Sequence, residues 1–168
     1  ALSSAASDVY KRQDMDDVKS GELGGHKVSR KLRVLVACEE SQEVCRAFRS
    51  LGHEAYSCDI EPCSGGHPEW HLQCDALELI KMRWDLIIAH PPCTYLTNAG
   101  NKWFKPEYKE RFPDRESQRE NAVLFFMAFW NADCSKVAIE NPQGIMSSRF
   151  RKPDQYIDCL LYTSPSPR

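Results

Sequence analysis

The sequence predicts an α/β protein with a mostly parallel sheet, and two observations carry that expectation. Strand-like and helix-like segments alternate along the chain from Leu32 to Glu140. One of the strand-like runs, WDLIIA at Trp84–Ala89, is apolar on both faces, as a central parallel strand covered by helices must be. Taken in order, LRVLVAC at Leu32–Cys38 is short, apolar and β-branched and reads as the first strand. Ser41 is placed to cap a helix running through Ser50, with Val44, Ala47, Phe48 and Leu51 at three-to-four spacing on one buried face and Gly52 closing it. EAYSCDI at Glu54–Ile60 is the second strand, stopped by Glu61-Pro62, and a glycine-containing loop follows from Cys63 to Trp70. His71–Ala76 is a short third strand before a brief helix over Leu77–Met82, and Trp84–Ala89 is the fourth strand. Asn98–Arg115 is polar, aromatic and interrupted by proline, a loop of the length that usually serves a function. Glu116–Ala132 is a helix with Val123, Phe126, Met127 and Trp130 on one side, read as core packing. KVAIE at Lys136–Glu140 is the fifth strand, ended by Asn141-Pro142.

Composition bounds the function. A chain of 168 residues, 42% hydrophobic and 27% charged, is long enough for one domain with a real core. No apolar run reaches membrane-spanning length, and a net charge of −2 gives no chain-wide sign of polyanion binding. Both ends look non-native. SSAASDVYKRQ, at Ser3–Gln13, resembles the in-frame translation of a transposase sequencing adapter, and CLLYTSPSPR, at Cys159–Arg168, resembles the translated reverse complement of its partner. Residues 1–13 and 159–168 are therefore set outside the expected fold. Residues 14–30, polar and glycine-containing, are expected to be a flexible lead-in, and residues 31–158 the folded natural part of a gene expected to run on past residue 158. Seven cysteines are scattered through residues 31–158 and no signal peptide is recognisable. Free thiols in a reducing cytoplasm are the expectation.

Ligands of parallel sheets bind outside the carboxyl ends of the strands. Four of the five strand ends here carry an acid, at Glu39-Glu40, Asp59, Asp75 and Glu140, and the fifth carries a thiol, Cys93. Asp59 is placed to accept from ribose hydroxyls, and Asp75 from an adenine amino group. The first turn, Glu39-Glu40-Ser41-Gln42, has no glycine, and its two carboxylates would repel a pyrophosphate. S-adenosyl-L-methionine suits such a site: it has two cationic groups, a ribose, an adenine and no phosphate. The alternative for Glu39 and Glu40 is that they simply favour a helix N-terminus. Pro91-Pro92 fixes the backbone just before Cys93, and a thiol on rigid backbone at a ligand-binding edge suits covalent chemistry. Glu140-Asn141 offers a carboxylate and an amide to the edge of a flipped pyrimidine.

Pro91–Cys93 (PPC) and Glu140-Asn141 (EN), each after a strand and in this order, resemble motifs of the DNA cytosine-5 methyltransferases, especially their compact phage and prophage members. VLVACEESQEVCRAF, with Asp59 and Asp75 after it, matches more weakly. The resemblance covers 31–158 and implies the N-terminal part of a Rossmann-like S-adenosylmethionine-dependent methyltransferase fold. It implies that Cys93 is the nucleophile, on a ledge made with Pro92, that Glu140 binds the base, and that Asn141 fixes the geometry around Glu140. The cofactor would lie against Cys38, Glu39, Ser41, Asp59, Ile60, Asp75, Ala76 and Pro91. The implied partner is double-stranded DNA with a flipped cytosine, met by a monomer, and the fragment alone is expected to be inactive. Lys102, Trp103 and Arg119, in a loop expected to close over the base, would contact the nucleic acid. Four departures stand out: Glu40 and Gln42 where glycines are usual, Thr94 in place of Gln after PPC, and Pro142 in place of Val after EN. Three rival readings remain: an amino-directed DNA methyltransferase using HPPC as a variant of the Pro-Pro-aromatic motif; a zinc module drawing on Cys58, Cys63, His67, His71 and Cys74; and a noncatalytic nucleotide- or DNA-binding relative.

Overall fold

A computed structural model describes residues 7–13 and 30–157. The expected lead-in, except Arg30, and the adapter-like segment from Cys159 onward lie outside the described residues. Seven strands and four α-helices follow in chain order: β1 (Ser7–Gln13), β2 (Arg33–Ala37), α1 (Glu43–Ser50), β3 (Glu54–Asp59), β4 (His71–Gln73), α2 (Ala76–Leu79), β5 (Leu86–Ala89), α3 (Arg115–Trp130), β6 (Lys136–Pro142), α4 (Met146–Arg149) and β7 (Gln155–Ile157). They form one mixed sheet in the order β4-β3-β2-β5-β6-β1-β7. The five strands from β4 to β6 run parallel, while β1 pairs antiparallel with both β6 and β7. The α/β class is as expected, and the topology is compatible with a Rossmann-like fold.

The chain runs outward from β2 to β3 and β4, then returns to the other side of β2 for β5 and β6. The point where strand order reverses therefore lies between β2 and β5, where open α/β sheets leave a crevice. Alternation along β2 feeds two cores. Val34 and Val36 pack with Cys45 and Ala55 under α1, while Leu35 and Ala37 pack with Ile87, Ile139, Phe126 and Phe129 under α3. Every one of these side chains is fully buried.

Three local expectations change. Leu51 follows the last residue of α1 and is exposed, so that helix buries Cys45 instead, flanked by Val44 and Phe48. Phe129 joins Phe126 as the buried pair of α3, while Val123, Met127 and Trp130 are only half-covered. The largest change is β1, formed by part of the adapter-like segment set outside the fold. Ser7–Gln13 pairs with β6 along its full length, from Ser7 opposite Pro142 to Gln13 opposite Lys136. An uncovered β6 edge would present a row of unpaired backbone groups, and a proline-free extended segment can satisfy them whatever its origin. Val9 is buried there, and the Arg12 guanidinium donates to the carbonyls of Trp130, Ala132 and Cys134 at the end of α3 and beyond.

Candidate functional site

Register brings the strand-end residues into one row. Ala37 lies beside Cys58 and Ala89, and Ala89 beside Ile139, so Cys38, Asp59, His90 and Glu140 are each the next residue along. A cavity of about 250 Å³ opens at these ends, lined by Cys38, Asp59, Ile60, Cys74, Asp75, Ala76, Pro92 and Phe125. Five of the residues expected to hold a cofactor (Cys38, Asp59, Ile60, Asp75 and Ala76) share this cavity. Asp59 Oδ1 accepts from the Glu61 N–H at 3.0 Å, and Asp75 Oδ1 accepts from the Leu77 N–H at 2.9 Å to cap α2. Each acid thus uses one oxygen in a local turn. Burial pushes the Cys38 thiol up to about 12, and the charges of Asp59 and Asp75 push the same way. The cavity is therefore biased toward cationic ligands.

The other three expected cofactor residues are placed differently. Pro91 is buried, and exposed Pro92 forms the wall. Glu39 is almost fully buried, and its carboxylate accepts from the Val44 and Cys45 N–H groups at 2.6 and 3.2 Å. It caps α1, which is the helix-terminus alternative, and it displaces Ser41 from that task. The residue at the cap position is Gln42, in a left-handed conformation with φ 62° and making no side-chain cap of its own. Ser41 is not in the cavity wall; its carbonyl lies against the loop after β3. Gly65 of that loop sits so close that a Cβ there would be 2.3 Å from the Ser41 oxygen. The fully buried Gln42 amide locks the loop down, donating to Ser57 Oγ and the His67 carbonyl and accepting from the His67 N–H and the Cys63 thiol. The departures from a glycine-rich turn thus have a structural use: the first turn is packed by neighbouring protein. Phe125 and Gln42 were missed by sequence reasoning. The FF pair at Phe125-Phe126 was legible as core, but nothing local marks which of the two meets a cavity.

Cys93 is half-buried at the end of β5, and its thiol is pushed up from the ordinary value by burial, with the Glu140 charge raising it further. Glu140 also lies near His90, with Nδ1 to Oε2 at 3.7 Å. Asn141 is fully buried; its Nδ2 donates to the Pro142 carbonyl at 2.8 Å, while its Oδ1 has no partner among the described residues. The loop that follows Cys93 is zipped to the loop that follows β6. Thr97 bridges Gly144, the Asn98 N–H donates to Gln143, and the Ile145 N–H donates to Leu96. A Cβ on Gly144 would stand 1.8 Å from the Leu96 oxygen, so the two backbones meet only because residue 144 is glycine.

The segment expected to contact nucleic acid is folded into short 3-10 turns over Asn98–Phe104 and Pro106–Tyr108. Its aromatic and cationic groups largely satisfy each other. Trp103 packs edge-on against Tyr108 and Phe112, and Lys102 Nζ sits 4.6 Å from the Trp103 ring centre. Arg119 stacks over Phe104 and donates to the Tyr95 carbonyl and Asn101 Oδ1. Arg119 is thus an anchor for the loop after Cys93, and among the three expected nucleic-acid contacts only Lys102 is exposed.

The residues of the zinc alternative are otherwise engaged. His71 contacts Ser57 Oγ and the Glu61 carbonyl, His67 stacks on Trp70, and Cys63 bonds Gln42. Among the described residues no group of three potential ligands could hold a metal ion. The seven described cysteines are free thiols, and no described helix is long and apolar enough to cross a membrane. No family model, curated protein or solved structure matches the chain. What fold and site define is therefore a class: an α/β protein with a mostly parallel mixed sheet and an acid-lined cavity beside a thiol.

Proposed function

We propose that the chain is part of a DNA methyltransferase acting on carbon 5 of cytosine through a covalent bond to Cys93. The observation that carries this reading is one juxtaposition: the Pro-Pro-Cys segment follows β5 and Glu140 lies on the neighbouring strand β6, while Pro92, next to Cys93, walls the cavity that Asp59 and Asp75 line. The cavity suits S-adenosyl-L-methionine because two carboxylates favour cationic groups, and Ile60, Ala76 and Phe125 supply apolar wall for a flat ring. Asp59, Ile60, Asp75 and Ala76 would hold it. When bound, it supplies an electrophilic methyl group to carbon 5.

The chain's residues do the rest. Cys93 gives up its proton to solvent water, and the thiolate forms a bond to carbon 6 of the flipped base. As that bond forms, the Glu140 carboxyl gives its proton to ring nitrogen 3 and accepts from the amino group, and the resulting neutral enamine is nucleophilic at carbon 5. After methylation, loss of the carbon 5 proton to solvent water restores the double bond and breaks the sulfur–carbon 6 bond, freeing Cys93, and ring nitrogen 3 returns its proton to Glu140. Asn141 steadies the backbone next to Glu140 through its bond to the Pro142 carbonyl.

Duplex DNA containing 5-fluorocytosine tests this, because fluorine blocks the final proton loss and leaves the adduct in place. The complete reading frame should form a denaturant-stable adduct with that DNA, and Cys93→Ser should abolish it. Nucleoside analysis showing only methylated exocyclic amines would replace the reading with amino-directed transfer.

A further inference from the structure

The starts of β2 and β5 lie at the sheet edge opposite Cys93, and three arginines gather there. Arg33 opens β2 and Asp85 immediately precedes β5; the Asp85 N–H donates to the Arg33 carbonyl at 2.9 Å and extends the parallel ladder. Arg30, Arg33, Arg83, Trp84 and Asp85 line an open cavity of about 540 Å³, larger than the one that Asp59 and Asp75 line. One carboxylate thus faces three guanidiniums, and both its oxygens are already engaged. Asp85 Oδ1 pairs with Arg30, and Oδ2 accepts from the Arg33 backbone N–H at 2.8 Å. Glu54, in register with Arg33 on β3, reaches Lys31 and the Tyr56 hydroxyl instead, and Glu78 pairs with Lys81. Among the described residues neither Arg33 nor Arg83 has a carboxylate partner for its side chain. This local excess of positive charge runs against a chain whose net charge is −2.

The Arg33 fork is oriented. Its guanidinium carbon stands 4.6 Å from the centre of the buried Trp84 ring, and its Nη1 donates to the Arg83 carbonyl at 3.2 Å. The Trp84 ring is itself fixed, because its Nε1 donates to the Leu79 carbonyl at 2.7 Å. A planar guanidinium held by stacking presents its remaining N–H groups in a set direction. Arg83 stands exposed beside it. Guanidinium is a permanent cation, so the attraction of these two side chains for an anion depends on no titration.

We propose that this cavity binds a phosphate group, gripped by the Arg33 and Arg83 guanidiniums. A carboxylate has two oxygens in one plane and suits one fork, whereas a phosphate can offer oxygens to two forks at once. Arg30 stays with Asp85 at the rim, and the open cavity leaves room for whatever the phosphate is attached to. A nucleic-acid backbone and a small phosphate-bearing molecule present the same chemistry. The site lies at the other edge of the sheet from Cys93 and does not rest on the methyl-transfer reading.

Arginine Nε–H resonances of the whole chain read the site directly, with inorganic phosphate and a short DNA duplex as separate probes. The Arg33 signal, assigned by its loss in Arg33→Gln, should move with at least one of them. Arg83→Gln should raise the probe concentration required by roughly fivefold or more, as expected for one lost charge-assisted bond. Arg46→Gln, which removes the same charge on α1, should change it by less than about twofold. Arg83 is exposed, so its variant tests the site even where Arg33→Gln disturbs the packing on Trp84. Movement with the duplex assigns the phosphate to a nucleic-acid backbone; movement with inorganic phosphate alone assigns it to a small molecule. No movement with either probe would overturn the proposal. Equal weakening by Arg83→Gln and Arg46→Gln would do the same, since it marks diffuse attraction.

Discussion

Asp59 and Asp75 show how one residue can brace a turn and still charge a cavity wall. Each spends Oδ1 on a turn N–H, and both raise the Cys38 thiol at the cavity wall. An asparagine at either position keeps the turn-accepting oxygen and removes the charge, so it separates the two roles. Asp59→Asn and Asp75→Asn should each weaken S-adenosylmethionine binding by roughly tenfold, about 1.4 kcal/mol, with little change in stability. Calorimetric titration alongside urea unfolding checks both halves. Affinity unchanged in both variants would remove the cavity from consideration as a cofactor site. Glu39 is the contrasting residue. Its sequence position suggested a ligand contact, but its carboxylate is consumed by two N–H groups of α1.

At the scale of elements, the loops after β5 and β6 form a single unit. The Thr97–Gly144 bridge and its flanking hydrogen bonds hold Cys93's loop against the loop that follows Glu140-Asn141, and Arg119 secures it from α3 through the Tyr95 carbonyl. Gly144→Ala drives a Cβ into the Leu96 carbonyl and should cost about 2 kcal/mol or more in urea unfolding. Gly52→Ala provides a control. It has φ +87° but open space around the new Cβ, so only the left-handed conformation opposes it, at about 1–2 kcal/mol. If Gly144→Ala costs no more than Gly52→Ala, the loops are not locked together as described. The strands themselves were largely legible in the sequence, because alternation and β-branching are local properties. The Thr97–Gly144 clasp was not, because nothing in either loop's composition names its partner.

For the molecule as a whole, two features reach beyond any single element. The first is β1, which covers the β6 edge and carries the Arg12 contacts to the end of α3. Removing residues 1–13 should leave the five-strand parallel core folded but less stable, by about 1–3 kcal/mol from the lost buried bonds. The bared β6 edge should also promote self-association. Thermal unfolding and size-exclusion chromatography read these effects; complete loss of structure would mean that the parallel core depends on β1. The second feature is thiol burial. Cys38 and Cys58 are pushed up to about 12, and Cys45, Cys93 and Cys134 are raised, with burial the leading cause in all five. A thiol raised in the folded state stays neutral there while the unfolded chain ionises. Its stabilising contribution is complete below the ordinary thiol value and is lost as pH climbs through the folded-state value. Unfolding free energy measured in reductant should therefore fall from about pH 8.5 upward, and Cys38→Ala should make that fall shallower. A wild-type profile flat to pH 10 would contradict it.

Periodicity and residue type, both local, were sufficient for the α/β alternation, for a central apolar strand in WDLIIA, and for acids and a thiol at the strand ends. Local pattern carries that much because a strand's hydrogen bonds and a helix's apolar stripe are written within a few residues. Tertiary structure decided the rest. Register set Cys38, Asp59, His90 and Glu140 in one row, packing gave Gln42 to the neighbouring loop and Glu39 to α1, and an open edge drew residues 7–13 into the sheet. Each of these outcomes depends on partners distant in the chain, so no window of sequence contains it.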